Sequence, residues 1–273
     1  MFVETYIGIA GDWHGNKGWS RLRLLDFAAL GITKILHLGD FGLWQDNSGQ
    51  KYLYRVNKNL EENNQTIYVT LGNHENYILV SMLQPITEGE NAGWLYNPRY
   101  PRILYAPRGH HWVWNDVSFV SLGGGNSIDR VFRQENINWW QGEQISYGDV
   151  QRTREGGHAE IMVAHDCPAG VPLFGGHKAG TGGWSAEDIS YAEKSRMALR
   201  HAVDVVKPDL YFHGHYHFLA EYETVLQDDD KKDYLLHSIG LDKDKAPNNI
   251  GILTLPSKQF DLIDYKISSL DLK

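Results

Sequence analysis

Residues that can bind a metal ion stand at the ends of five short apolar runs of the sequence. Each run is rich in Ile, Val, Leu or Tyr and stops abruptly at Asp, Asn or His. The residues are Asp12, His14, Asp40, Asn73, His74, Glu75, His165, His215 and His217. A packed core has no use for such a set, because buried polar groups without partners are costly. Mixed oxygen and imidazole ligands suit manganese, iron or zinc better than calcium, so the pattern predicts a metal site.

Two divalent ions held close together need a ligand that contacts both of them. A carboxylate can do so with its two oxygens when the ions lie on the order of 3.5 to 4 Å apart. Asp40 is our candidate for this bridging ligand. The single cysteine, Cys167, argues against a structural zinc site. We expect this cysteine to be a small buried residue, because His165 cannot both hold a metal ion and activate a thiol.

The apolar runs predict the strands of an α/β sheet. In the first third of the chain strands and helices alternate, with a strand through Ala10, a helix at about 20–30, a strand near 34–38, a helix at about 50–63 and a strand at 66–71. This order predicts parallel strands joined by right-handed crossovers. The carboxyl ends of such strands meet at one edge of the sheet, where open α/β sheets bind their ligands.

The rest of the chain does not continue the regular alternation of strands and helices. Residues 93–101 are rich in aromatic residues, Gly and Pro, which predicts a surface loop. We expect the aromatic segment 94–105 to be exposed and to serve as an interface or as a wall of the substrate site. Short strands near 102–105, 112–114 and 117–122 predict an antiparallel part of the sheet. A long helix is predicted at 186–206, with Ser185 as its N-cap. The β-rich segment from 219 to 263 predicts a second sheet that faces the first.

Two glycine-rich segments are candidates for substrate contacts. The segment 123–130 leaves a strand, and its glycines let the backbone approach a ligand closely. We expect Asn126 and Arg130 to contact substrate there, with a plain connecting loop as the alternative. His177 lies in the long loop after His165 and is a third candidate, because long loops without secondary structure often bind ligands. His37 and His213 lie within predicted strands, and we expect them to be buried and hydrogen-bonded.

Composition and charge limit the class of protein. With 273 residues the chain is long enough for a large core, and we expect one domain over residues 1–273. Its 26 Lys and Arg against 34 Asp and Glu, without a basic stripe, argue against a long nucleic-acid duplex as partner. No basic leader and no apolar run of membrane-spanning length is present, which predicts a soluble cytoplasmic protein. The sequence carries no signal for an oligomeric state.

Together the motifs resemble the calcineurin-like metallophosphoesterase family. The resemblance rests on Asp12-Trp13-His14, Gly39-Asp40, Gly72-Asn73-His74-Glu75, His165 and Gly214-His215-Tyr216-His217, which follow the order of the family. It implies a four-layer α/β/β/α sandwich of two mixed sheets flanked by helices, with the site between the loop edges of the sheets. It also implies one metal ion bound by Asp12, His14, Asp40 and His217 and a second bound by Asp40, Asn73, His165 and His215.

The same resemblance implies a mechanism. A hydroxide that bridges the two metal ions attacks phosphorus, and His74 donates a proton to the leaving oxygen. Glu75 is expected to orient the imidazole of His74 or to stabilise its charge. Two divalent ions are the expected cofactor, with manganese first and iron or zinc as alternatives.

The substrate class is less closely defined by the motifs. Segment 123–130 and Trp139-Trp140 are similar to bacterial and phage-encoded members, which favours a phosphodiesterase for small or cyclic nucleotide-type diesters. A phosphomonoesterase, including a protein phosphatase, is the alternative suggested by Glu75, although no arginine follows Gly39-Asp40 as it does in that branch. A nuclease or dinucleoside polyphosphate hydrolase, and a catalytically silent metal-binding scaffold, stay open. His74 argues against the scaffold, which has no need of a proton donor.

Overall fold

The computed structural model describes residues 4–173 and 183–263, so the candidate His177 lies outside the described residues. Within these ranges the helices are α1 (Lys17–Ala29), α2 (Asn47–Glu62), α3 (Tyr77–Val80), α4 (Tyr147–Glu155) and α5 (Ala186–Val206). The strands of the first part of the chain are β1 (Thr5–Ala10), β2 (Lys34–His37), β3 (Thr66–Val69), β4 (Gln84–Pro85), β5 (Leu95–Tyr96), β6 (Ile103–Tyr105), β7 (His110–Trp114) and β8 (Val117–Leu122). The later strands are β9 (Ile161–Ala164), β10 (Leu210–His213), β11 (Ala220–Gln227), β12 (Asp233–Gly240), β13 (Ile250–Leu255) and β14 (Gln259–Leu262).

The described strands form two mixed sheets. The first sheet has the order β14-β13-β1-β2-β3-β6-β5-β4, and the second has the order β11-β12-β10-β9-β8-β7. In the first sheet β1, β2, β3 and β6 are parallel neighbours, which confirms the parallel strands predicted from the alternation of strands and helices. In the second sheet β8, β9, β10 and β12 run parallel to one another.

Alternating side chains on the strands show how the layers stack. Along β3 Ile67 and Val69 face a core shared with α1 and α2, whereas Tyr68 between them faces a core shared with the second sheet. Along β9 Ile161 faces that same central core, and Met162 faces a third core packed against α4 and α5. Because successive side chains of a strand point to opposite faces, each sheet is covered on both sides. This confirms the four-layer α/β/β/α sandwich.

The last two strands differ from the expectation. The segment from 219 to 263 was expected to form one second sheet, but only β11 and β12 join it. Strand β13 pairs antiparallel with β1, and β14 continues the first sheet beyond it. This arrangement covers the outer edge of β1, which would otherwise offer unpaired backbone groups. Of the strands near 102–122, β7 and β8 pair antiparallel as predicted, whereas β6 and β8 each also have a parallel neighbour.

Segment 93–101 is largely a loop with exposed residues at Gly93, Pro98, Arg99 and Pro101, but its aromatic side chains are not exposed. Trp94 is 1% exposed and lies in the core between the two sheets. Its ring packs edge-on against Tyr68, with the ring centroids 4.8 Å apart, and against Trp112 at 5.0 Å. The prediction of exposed aromatic side chains was wrong, because Trp94 and Tyr96 pack between the two sheets and Tyr100 packs in the core that the first sheet shares with α1 and α2.

Other predictions about buried residues have mixed outcomes. Ser185 caps α5 as predicted, in a capping box with Asp188. Cys167 is fully buried, and burial raises the pKa of its thiol. His37 and His213 are buried as expected, but His37 has no hydrogen-bond partner for either ring nitrogen among the described residues. It packs between the rings of Trp13 and Phe41 instead.

Candidate metal centre

The predicted site residues follow the carboxyl ends of five strands from both sheets. Asp12 and His14 follow β1, Asp40 follows β2, and Asn73 and His74 follow β3. The second sheet contributes His165 after β9, and His215 and His217 after β10. The site therefore lies where the loop edges of the two sheets meet. A single sheet edge, which the strand pattern by itself suggested, would not bring these residues together.

The backbone of these loops is unusually bent. Asp40 has a φ of 50°, and His14, His215 and His217 also have positive φ values of 44°, 70° and 60°. Residues with side chains rarely adopt this left-handed conformation, and it concentrates at functional sites. Gly214 is required for a different reason, because a Cβ atom at this position would collide with the carboxylate of Asp12. The loops are shaped to bring polar side chains together.

Four of the side chains form a first cluster, which consists of Asp12, His14, Asp40 and His217. Each offers one possible ligand atom, and these atoms all lie within 4.8 Å of one another. His217 Nε2 lies 3.2 Å from Asp12 Oδ2, and His14 Nε2 lies 3.5 Å from Asp40 Oδ2. Such an arrangement of oxygen and nitrogen atoms is suited to a divalent ion.

A second cluster consists of Asp40, Asn73, His165 and His215. Asn73 Oδ1 lies 2.8 Å from His165 Nε2 and 3.1 Å from His215 Nδ1. His165 Nε2 also lies 3.4 Å from Asp40 Oδ1. One carboxylate oxygen of Asp40 thus faces each cluster, which is the geometry expected of a bridging residue.

The charges of the clusters fit a cation. Asp12 is fully buried and Asp40 is 1% exposed, and neither carboxylate forms an ion pair with a lysine or arginine of the described ranges. Buried carboxylates are costly unless positive charge compensates them. Burial opposes a proton on His165, yet the carboxylates of Asp40 and Asp12 raise its pKa to about 10. The clusters therefore attract positive charge strongly, and a divalent ion fits the donor set.

Asp244 supports the first cluster from outside. Its Oδ1 lies 3.2 Å from His14 Nδ1, its Oδ2 accepts a hydrogen bond of 2.6 Å from Asn16, and its backbone N–H donates to the carbonyl of Asp12. A carboxylate behind a ligating histidine typically fixes the ring and its tautomer. Sequence reasoning missed this residue, because it lies in the loop after β12 and carries no local pattern.

Ser127 and Glu143 support the second cluster. Asn73 Nδ2 donates a hydrogen bond of 2.9 Å to Ser127 Oγ, which in turn donates one of 2.6 Å to Glu143 Oε2. This chain turns the amide oxygen of Asn73 toward the histidines. His165 Nδ1 lies 2.8 Å from the carbonyl oxygen of Leu38, so that Nε2 faces the cluster. Neither contact was expected from the sequence.

His74 stands beside Asp40. Its Nε2 lies 3.8 Å from Asp40 Oδ2, and its backbone N–H donates to Asp40 Oδ1 over 2.9 Å. The guanidinium of Arg133 contacts both ring nitrogens, with Nη1 3.0 Å from Nδ1 and Nη2 3.3 Å from Nε2. Asp129 accepts two hydrogen bonds of 2.6 Å from Arg133. His74 is therefore positioned by its neighbours without belonging to the two clusters.

Glu75 differs from its expected role. Its carboxylate is fully buried and accepts hydrogen bonds from the backbone N–H groups of Phe41, at 2.7 Å, and of Gly42 and Gly72. It thus joins the loop after β2 to the loop after β3 and does not orient the imidazole of His74. Burial, followed by the repulsion of Asp40, raises the pKa of Glu75 to about 7.

The proposed substrate contacts of segment 123–130 lie against α5. Asn126 Nδ2 donates to the carbonyl of Tyr191 over 2.7 Å, and Arg130 lies over the ring of Tyr191, 4.0 Å from its centroid. The structure thus places Arg133, three residues further along, beside His74 and does not place Arg130 there. The sequence did not show which of the two arginines lies near His74, because both stand in the same polar stretch of the chain.

Two cavities meet at His74. A smaller cavity of about 190 Å³ opens over the clusters and is lined by Asp40, Asn73, His74, Arg133, His215 and His217 among others. A larger cavity of about 470 Å³ lies on the other side and is lined by Trp44, Gln45, His74, Arg133, Asn136 and Trp140 among others. Among the described residues no helix is both long and apolar enough to cross a membrane.

Comparisons with known proteins agree with this geometry. The profile of the calcineurin-like phosphoesterases matches residues 5–219. The solved structure of TT1561 from Thermus thermophilus is similar with a TM-score of 0.54 and 12% sequence identity, over 96% of this chain and 99% of that one. An archaeal phosphodiesterase gives a TM-score of 0.41 at 13% identity, over 96% and 100% of the two chains. A search of curated proteins gives no match. At 12% identity, the similarity to TT1561 indicates a shared fold alone.

Proposed function

We propose, because this chain belongs to the calcineurin-like phosphoesterase family, that it is a phosphodiesterase with two divalent metal ions that acts on small or cyclic nucleotide-type diesters. Members of this family are metal-dependent phosphoester hydrolases, and the site described above supplies suitable ligands. The observation that carries the proposal is the pair of buried carboxylates, Asp12 and Asp40, that converge with histidines and lack a lysine or arginine partner in the described ranges.

In this proposal each cluster holds one metal ion. The first cluster would hold one ion and the second cluster would hold the other, and Asp40 belongs to both clusters. When bound, such ions supply a nucleophile at neutral pH and neutralise charge on the phosphoryl oxygens. Manganese is our first expectation, and iron or zinc suit the same donors.

The residues of the chain itself provide the proton and the orientation. His74 lies beside Asp40 at the wall of the smaller cavity and can donate a proton to the oxygen that leaves phosphorus. Arg133 contacts the ring of His74 and keeps the imidazole in place. Glu75 acts at a distance, because it fastens the two loops that carry Asp40 and Asn73.

The charge of the smaller cavity favours a diester. Arg133 is the one arginine or lysine among the described residues that line this cavity, and Asp129 holds it with two hydrogen bonds. Burial opposes the charge of Asp129, but the hydrogen bonds from Arg133 lower its pKa, so the two residues form an ion pair. A monoester dianion would find no free cationic side chain there, whereas a diester carries a single negative charge.

The test is hydrolysis of bis(p-nitrophenyl) phosphate and p-nitrophenyl phosphate by metal-stripped protein resupplied with manganese. We expect metal-dependent turnover with the higher kcat/KM for the diester, and turnover lower by roughly 10³-fold in Asp40→Ala. A preference for the monoester would identify a phosphomonoesterase in which Arg133 contacts the phosphate after all. Absence of metal-dependent turnover of both compounds would favour a binding scaffold.

A further inference from the structure

The larger cavity beside His74 has no role in the proposal above. It measures about 470 Å³, against about 190 Å³ for the cavity over the clusters, and the two cavities share His74 and Arg133 in their walls. A volume of this size lies in the range of small-molecule sites. His74, the proposed proton donor, thus stands between the smaller cavity, which would take the phosphoryl group, and the larger cavity, which could take a larger substituent.

The walls of the larger cavity carry aromatic rings and side-chain carboxamides. Two indoles, of Trp44 and Trp140, lie in the wall together with the carboxamides of Gln45, Asn136 and Asn138. Indole faces bind flat rings by stacking, and a carboxamide offers a donor and an acceptor side by side, as the edge of a nucleobase does. The charged groups of the wall are Asp46 and the ion-paired Arg133. This composition suits an uncharged heteroaromatic group better than a further phosphate.

Hydrogen bonds fix several residues in the wall of the larger cavity. The indole N–H of Trp44 donates a hydrogen bond of 2.8 Å to the carbonyl of His74, so this ring and the proton donor are fixed to each other. On the opposite side Arg133 donates to the carbonyl of Asn138 over 3.2 Å, and Asn138 Oδ1 accepts from the backbone N–H of Gln134 over 2.6 Å. A preorganised cavity loses little freedom when a ligand binds.

We propose that the larger cavity binds the nucleoside leaving group of a linear phosphodiester, a step that rests on the proposed function. The proton donor must lie next to the oxygen that leaves, so the leaving substituent extends to the side of His74 that faces away from the clusters. In the reaction the oxygen of water bonds to phosphorus, a proton of this water passes to the solvent, and the bond from phosphorus to the nucleoside oxygen breaks. His74 gives its proton to the nucleoside oxygen and later recovers one from the solvent. The products are a free nucleoside and a phosphomonoester of the other substituent.

The first experiment measures binding without turnover. Adenosine and uridine are titrated calorimetrically into the manganese-loaded protein, with ribose as the comparison. Gln45→Trp and Ile137→Trp fill the cavity from opposite walls, and Ile137 is 62% exposed, so the second change is expected to preserve folding. Gln259→Trp, on the exposed face of β14, is the matched control.

We expect the nucleosides to bind the unaltered protein and Gln259→Trp with equal Kd. We expect them to bind each filled variant roughly tenfold more weakly, because the added indole occupies space that the base needs in order to stack on the wall. Ribose is expected not to bind. Nucleosides that fail to bind, that bind the filled variants equally well, or that bind no better than ribose would each overturn the proposal.

The second experiment separates this proposal from the one on which it rests. Adenosine is tested as an inhibitor of bis(p-nitrophenyl) phosphate hydrolysis, and we expect competitive inhibition that is lost in Gln45→Trp. Hydrolysis of the chromogenic diester without nucleoside binding would overturn the leaving-group site alone. Nucleoside binding without any diester hydrolysis would overturn the proposed function and the leaving-group role with it.

Discussion

The two clusters of the site differ in charge although they share Asp40. The first cluster contains two carboxylates, and a third carboxylate, that of Asp244, stands behind His14. The second cluster adds only neutral donors to the shared aspartate, and the hydroxyl of Ser127 stands behind Asn73. Affinity for divalent ions rises with the number of charged ligands. We therefore expect a chelator to empty the second cluster before the first.

The largest effect is expected where the clusters join. Asp40→Ala removes the one residue that faces both of them, so both ions should be lost and diester hydrolysis should fall by roughly 10³-fold, which corresponds to the several kcal/mol that metal ions contribute. Metal content by mass spectrometry and kcat for bis(p-nitrophenyl) phosphate are the measurements. A variant that keeps both ions would contradict the bridging role.

His74→Asn tests a residue that belongs to neither cluster. Loss of a proton donor should lower kcat by about 10²-fold, the lower end of the range for general acid catalysis, while metal content stays at the level of the unaltered protein. His201→Asn, an exposed change on α5, is the matched control and should alter neither quantity. If His74→Asn lost metal, His74 would be a ligand, and the division into two clusters would have to be redrawn. Equal turnover would remove it from the mechanism.

The parts of the site that the sequence predicted are local. Asp12, Asp40 and Asn73 lie two, three and four residues after the ends of β1, β2 and β3, so an apolar run with a polar end was enough to find them. The pairing of β13 with β1 was not predictable in this way, because the residue pattern of a strand does not show which sheet the strand joins. The prediction that Trp94 is exposed failed for a related reason, because its burial depends on contacts with the second sheet.

The groups that support the ligands were missed because their partners are far away in the chain. Asp244 contacts His14 across 230 positions, and Glu143 acts on Asn73 only through Ser127. Glu75 lies within a motif, yet its role was misjudged, because backbone N–H partners leave no trace in a sequence. Short-range patterns identify ligands, whereas their orientation depends on tertiary contacts.

Asp244→Asn should weaken the first cluster selectively. The amide removes the negative charge behind His14, and loss of such a supporting group typically costs 10- to 100-fold in metal affinity. Competition with a chromophoric chelator should therefore show one weakened ion and one unchanged ion. Asp261→Asn, in the exposed strand β14, is the control. Equal weakening of both ions would mean that the clusters do not respond separately.

Ser127→Ala tests the corresponding supporting residue of the second cluster. Without the hydroxyl, the amide of Asn73 can rotate and leave its oxygen turned away from His165. Here we expect about tenfold weaker binding, at the lower end of the range for supporting groups, because the lost partner is uncharged. The same chelator competition should show the loss in the more weakly held ion. A loss confined to the tightly held ion would reverse the assignment.

The smallest effect concerns a polar residue that neither cluster uses. Burial lowers the pKa of His37 to about 3, so the folded protein keeps this ring neutral while the unfolded chain takes up a proton below its ordinary pKa of 6.5. The stability that depends on the neutral ring is present above pH 6.5 and is lost as the pH falls toward 3. At pH 5 this loss amounts to about 2 kcal/mol. His37→Leu should abolish it, so its Tm relative to that of the unaltered protein should be higher at pH 5 than at pH 8. An offset that does not change with pH would show that His37 is protonated in the folded state and belongs to the charge balance of the clusters.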